Sequence, residues 1–368
     1  FLFIRFLLIL MFMDKERLKK ALKVSGIVLI FLGAIVALLY NVNTIETAFK
    51  SIEQKNGLII INHPGRYNEP AEWYNSIFNQ FPNNIIGLEV LNQGQRYPKD
   101  LALWDSINSL RDPEKLIWGY SNDDYHSPSH AFRNYQHMLM ENLTEEALRE
   151  CMIRGAFYFS YQPTGNNETA TTYGTALAPK ITSISVAGTT ISISATNYTA
   201  IHWLNSSGEV VLIGNSIDAS NLTSKFVRAV IHNTEGATYT QPFGIKEGQI
   251  INPYSEVNWA TVNHYKANFH THTTKSDGKE TVQEVITRYH AAGYSILAIT
   301  DHSKNTWPWS DYIQYKPAKE SIISGFYPDL NMLAVSGNEP SASHHFNSLF
   351  CDFAGNALDL PGRLNGRW

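Results

Sequence analysis

Apolar and polar positions follow two different periods along this chain, and the changes of period divide it into segments. Residues 44–55 carry apolar side chains at helical spacing, while 57–62 (GLIIIN), 84–92 (NIIGLEVLN) and 116–120 read as near-continuous apolar runs. Such runs are what strands buried on both faces of a sheet look like. Residues 130–158 read as one or two helices and a strand. An Asn/Thr-rich stretch, 166–174, then interrupts the pattern, and from 180 to 245 Ile, Val, Thr and Ser alternate in short runs. Turn signals at Ala187-Gly188, Ser207-Gly208 and Glu235-Gly236 punctuate those runs, which predicts a small all-β sandwich. Helical spacing returns in 281–292, where Val282, Val285, Ile286 and Tyr289 share one face before Gly293, and a buried strand follows at 295–300 (SILAIT). The expected fold is therefore α/β with an inserted β sandwich: α/β units at 44–165 and 255–365, and the sandwich at 178–248.

The amino end changes this picture. Residues 24–40 hold no charged side chain and follow five basic ones (Lys15, Arg17, Lys19, Lys20, Lys23). That length sits at the lower edge of a membrane-spanning helix. The basic flank would place the preceding end in the cytoplasm and the rest outside. Residues 1–43 are thus expected to be a membrane anchor or a signal segment, with an uncleaved anchor favoured and the remainder extracytoplasmic. Charge and cysteine content remove other classes. A formal net charge of −4 offers no footprint for nucleic acid as a main partner, and two cysteines without a CxxC pair indicate neither a disulfide framework nor a thiolate zinc site. A bound metal would be held by His and carboxylate.

Residues 268–302 carry the densest candidate chemistry. His270 and His272 are two apart on an expected strand, so both imidazoles face one way and can chelate one ion. Asp277 lies on a Ser-Asp-Gly turn, and Asp301-His302 closes the following strand, at the carboxyl end where α/β folds build their sites. Elsewhere His63 ends an apolar run in NHPGR, and Asp124 and His126 repeat the two-residue spacing.

These segments together resemble the polymerase and histidinol phosphatase (PHP) superfamily of metal-dependent phosphoesterases. The likeness lies in FHTHTTKSDG, AAGYSILAITDH, NHPGR, the Asp124-x-His126 motif, and 332–351 (MLAVSGNEPSASHHFNSLFC). It implies a distorted (β/α)7 barrel and two to three divalent ions (Zn, Mn or Fe). His270, His272, Glu339 and Asp124 would hold one ion, Glu339, His345 and His63 a second, and Asp277, His302 and His126 a third. His344 is the neighbour that could take the place of His345. Glu89 matches a carboxylate behind the ligands, Asp301 would orient a ligand His or take up a proton, and Arg66 would assist at the phosphate. The order of the motifs departs from the family: the second half of the barrel comes first, then the β domain, then the first half. This fits a circular permutant, or a join of two partial copies. The function implied is hydrolysis of a small phosphorylated substrate. The alternative is a non-catalytic extracytoplasmic protein whose sandwich, through Trp203 and Tyr198, recognises glycan or protein, although core packing is the reading favoured for those two residues.

Overall fold

A computed structural model describes residues 45–163, 178–341 and 343–353. The expected anchor at 24–40 lies outside the described residues, among which no helix is long and apolar enough to cross a membrane. The first segment runs α1 (Ile45–Gln54), β1 (Leu58–Ile61), α2 (Ala71–Gln80), β2 (Ile85–Asn92), α3 (Asp100–Leu110), β3 (Trp118–Asn122), β4 (Asn134–Met140), α4 (Glu145–Arg154) and β5 (Phe157–Tyr161). Nine short strands follow: β6 (Lys180–Ala187), β7 (Thr190–Thr196), β8 (Ala200–Asn205), β9 (Val210–Ile213), β10 (Ser216–Asp218), β11 (Phe226–His232), β12 (Ala237–Tyr239), β13 (Phe243–Lys246) and β14 (Gln249–Ile251). The last segment holds β15 (Asn263–Asn268), α5 (Val282–Ala291), β16 (Ile296–Ile299), β17 (Lys319–Glu320), β18 (Ser324–Tyr327), β19 (Met332–Asn338) and β20 (Phe346–Leu349).

Local chemistry explains these elements. In α1 the buried residues Ile45, Ala48, Phe49 and Ile52 fall on one helical stripe. Thr281 and Glu284 close a reciprocal capping box on α5, and Gly293, at φ 74°, takes the left-handed position just beyond its end. The apolar strands β1, β2 and β16 are buried along their whole length.

Pairing interleaves the two distant segments. In space the strands run β4–β15–β16–β19–β20–β1–β2–β3. β15, β16 and β19 are parallel to one another, as are β1, β2 and β3. β20 runs antiparallel to both β19 and β1, which departs from the expected (β/α)7 repeat. The reason is chain length: 339–345 is too short for the crossover that a parallel neighbour needs. Side chains join the two ends of this run, since Gln136 Nε2 donates to the Ser121 carbonyl (2.7 Å) and Asn134 Nδ2 to Ser121 Oγ (2.9 Å).

The β strands after residue 180 pack as two layers. β6, β7 and β10 form a three-stranded sheet, and Ile181, Ile184, Ile191 and Ile193 meet Ile201, Trp203, Val227, Ala229 and Ile231 from the other layer. That second layer is continuous with the large sheet through the β5–β12 pair. Trp203 is fully buried and donates Nε1–H to the Gly214 carbonyl (2.9 Å), so it packs the core and does not present itself to a glycan. The chain is mixed α/β, with a large mixed sheet and five α-helices among the described residues.

Candidate metal centre

Chemistry-bearing residues gather where β15, β16, β19, β1 and β3 end. The strands bring there three carboxylates and six imidazoles that lie far apart in sequence. Glu339, just past β19, is the hub. Its Oε1 faces His63 Nε2 (3.2 Å) and His345 Nδ1 (3.0 Å). Its Oε2 faces His270 Nε2, His272 Nε2 and His302 Nδ1, each at 3.3 Å. Asp124 Oδ1 lies 3.2 Å from His270 Nε2 and 3.3 Å from His272 Nε2. Asp277 Oδ2 stands 3.2 Å from His126 Nε2 and 3.6 Å from His302 Nε2.

All nine side chains expected as ligands therefore meet in one place. They fall into overlapping groups, His63–Asp124–His270, His270–His272–Glu339, His63–Glu339–His345 and His126–His272–Asp277–His302, within each of which one donor atom per residue lies within 4.8 Å of the others. Of the two neighbouring histidines it is His345 that faces Glu339. The His344 ring instead stacks on Trp73 (4.5 Å between centroids), with its Nε2 3.5 Å from Glu69.

The hydrogen bonds behind the cluster set the tautomers. Glu89 Oε1 accepts from His270 Nδ1 (2.7 Å), which turns the bare Nε2 inward. His126 Nδ1 donates to the Asp124 carbonyl (2.8 Å), and its Nε2 is left for Asp277. Glu89 itself is pinned by His63 N, Asn92 and Asn122 at 2.9–3.0 Å. His63, Gln93, Asp124 and Ser303 hold positive φ values of 27°, 43°, 44° and 50° around the site. Backbone strain of this kind persists where surrounding structure over-determines it, and it gathers at functional sites.

Electrostatics follows from this crowding. Burial opposes charge on Glu339, but the imidazoles of His270, His345 and His302 outweigh it and hold the carboxyl well below its usual range. Asp124 is held low in the same way by His270, His272 and His126. Burial likewise opposes charge on His272, and Asp124 and Glu339 overcome it, raising the imidazole to about 10. His302 goes the other way, lowered to about 4, because burial there exceeds the pull of Glu339.

The donor set suits divalent cations. Ligand atoms ~2.0–2.1 Å from a tetrahedral ion stand ~3.4 Å apart, close to the spacings around Glu339 and Asp124. His63 Nδ1, His270 Nε2 and both ring nitrogens of His272 are buried without a hydrogen-bond partner. With the facing carboxylates, the histidines of these groups could hold a divalent cation.

One expected role, that of Asp301, is corrected by position. Asp301 does not reach any of the six imidazoles: its carboxylate accepts from Thr273 N (2.7 Å), Thr273 Oγ1 (2.7 Å), Ser276 Oγ (2.7 Å) and Thr306 Oγ1 (2.6 Å). Those four donors belong to the loops after β15 and β16, so Asp301 holds the turn that carries Asp277. Arg66 is exposed, its guanidinium 5.9 Å from the Tyr67 ring centre. Arg96 is the arginine beside the cluster, half exposed and 3.9 Å from Asp124 Oδ2.

Asn62, Tyr67 and Arg96 were not foreseen. Asn62 Nδ2 donates to Glu339 Oε1 (2.8 Å), and Tyr67 OH accepts from His345 N (2.9 Å). A polar Asn closing an apolar run was a signal for the first; nothing local in the sequence marks the other two. Comparison of the chain with family models, with curated proteins and with solved structures returns no match.

Proposed function

We propose that this chain is a metal-dependent phosphoesterase that hydrolyses a small phosphorylated substrate at the Glu339-centred cluster. The observation that carries the reading is convergence: nine His, Asp and Glu side chains from two segments separated by the β sandwich meet in four ligand groups, linked through His63, His270 and His272, two of which contain Glu339. A folded protein gains nothing by burying so many unpartnered ring nitrogens unless they bind something. On the same reading the eight-strand run is a distorted barrel, its seam between β3 and β4 bridged by Gln136 and Asn134, with the two segments as its permuted halves. A membrane anchor in residues 1–43 and an extracytoplasmic location belong to the same proposal and rest on sequence.

The ligand sets would be His270, His272, Asp124 and Glu339 for one ion, Glu339, His63 and His345 for a second, and Asp277, His126 and His302 for a third. Divalent ions supply Lewis acidity, taking the pKa of water from ~15.7 toward ~7 and offsetting phosphate charge. The chain's own residues do the rest. Glu89, through His270 Nδ1, and the Asp124 carbonyl, through His126 Nδ1, orient the two rings with Nε2 toward the cluster. Asn62 and Tyr67 fix Glu339 and the His345 backbone. Arg96, with half its side chain in solvent and its guanidinium at the edge of the cluster, is placed to grip a phosphoryl oxygen. Hydrolysis of a generic aryl phosphate by residues 41–368 tests the reading. It should disappear on chelation and return with Mn2+ or Zn2+; hydrolysis indifferent to chelator would contradict it.

A further inference from the structure

The cluster has a closed end and an open end. The side chains of His270 and His272 are 0 % exposed and Glu339 1 %, whereas His126 is 24 % and Asp277 29 % exposed. We infer that the His126–Asp277–His302 end holds an exchangeable cation, so that the centre switches on and off with metal supply while its buried ions stay in place. This rests on the phosphoesterase reading and adds a mode of regulation to it.

Donor count gives the first argument. A neutral imidazole has one lone pair to offer an ion. His272 Nε2 faces both Asp124 (3.3 Å) and Glu339 (3.3 Å) and so serves the closed end. That leaves Asp277, His126 and His302 as the protein donors of the open end. Glu339, His63 and His345 are three as well, but each is 9 % exposed or less, so it is at the open end that solvent reaches the remaining positions.

Support gives the second. Glu339 rises from a strand buried along its whole length, and Asn62 holds its carboxylate. Asp277 sits on the turn between β15 and α5. That turn is clamped by Asp301, which binds Thr273 and Ser276, and by Gly278, where an added Cβ would lie 2.5 Å from the His272 carbonyl oxygen. Among the described residues Asp277 meets Ser276 Oγ at 3.2 Å besides its imidazole partners, and its side chain is 29 % exposed. Solvent and chelator thus reach this ligand directly.

The test is to load the full chain with Mn2+ and dialyse it against rising citrate and then EDTA, counting ions per chain by elemental analysis. One ion should leave first, with the others retained until the stronger chelator. Asp277→Asn and His126→Gln, which alter different loops, should each hold one ion fewer than the wild type while unfolding at the same denaturant midpoint in EDTA. Loss of all ions in a single step, or of the whole set in both variants, overturns the inference and leaves the phosphoesterase reading standing. A wild type that takes up no ion overturns both.

Discussion

The candidate metal cluster and the seam between the β sandwich and α3 are both buried and both polar, yet at the seam the charged groups pair with each other and one nitrogen, Arg228 Nη1, is left without a partner. At the seam Arg228 of β11 directs Nε and Nη2 at the two oxygens of Asp105, each at 2.7 Å, with its guanidinium over the Trp104 ring. Gln241 exchanges two hydrogen bonds with the backbone of Gly119, both 2.9 Å, and Ser109 Oγ reaches the Ser206 carbonyl at 2.7 Å. In the cluster, by contrast, His270 Nε2 and His272 Nε2 face the Asp124 carboxylate without hydrogen-bond geometry. Buried polarity that is satisfied specifies how parts dock; buried polarity left unsatisfied specifies what must still bind.

Breaking the satisfied region gives the largest stability effect. Asp105→Ala leaves the Arg228 guanidinium, 3 % exposed, without its counter-charge. Removing one partner of a buried pair costs about 3–5 kcal/mol, read as a lower denaturant midpoint. The number of ions bound per chain should not change. A fall in metal content alongside the stability loss would show that the sandwich shapes the cluster and that the two regions are not independent.

A third arrangement sharpens the contrast. Lys266 on β15 is buried with its ammonium between the rings of Tyr135 (4.6 Å) and Tyr294 (4.3 Å), donating to the Ala292 carbonyl. Burial lowers its pKa from 10.5 to about 8, with Asp123 opposing. Between those two values the unfolded chain still carries the proton and the folded one has lost it, so stability should rise with pH from about 8 toward 10. The full swing is on the order of 3 kcal/mol. Lys266→Met should flatten that rise in chemical unfolding measured at pH 8, 9 and 10; an unchanged slope would mean the ring faces already compensate the charge.

How far the sequence could be read depends on how local the determining physics is. The candidate ligands were legible because most sit near strand ends marked by apolar runs, Asp277 on a Ser-Asp-Gly turn, and because His270-x-His272 and Asp124-x-His126 repeat the two-residue period of a strand. The cap and stop of α5 were legible for the same reason. The antiparallel course of β20 was not, because it follows from the length of the 339–345 link together with its pairing to β1, which lies almost 300 residues earlier. The β5–β12 pair, which makes one layer of the sandwich an extension of the large sheet, is likewise invisible to local pattern. Asp301 looked like a partner of its neighbour His302, yet Thr273, Ser276 and Thr306 take all of its oxygens. Asp123, the neighbour of Asp124, is buried and accepts from Phe132 N, Arg133 N, Asn134 N and Tyr289 OH. Burial raises its carboxyl to about 6. Side-chain direction of this sort is decided by tertiary neighbours.

The claim on which everything turns is that Glu339 sits between cations. Elemental analysis of purified residues 41–368, wild type beside Glu339→Ala, measures it directly. Two to three transition ions per chain in the wild type, and at most one in a variant that remains folded, is the result expected. A folded wild type that stays free of metal after loading, or a Glu339→Ala chain that holds the same ions, would contradict the account.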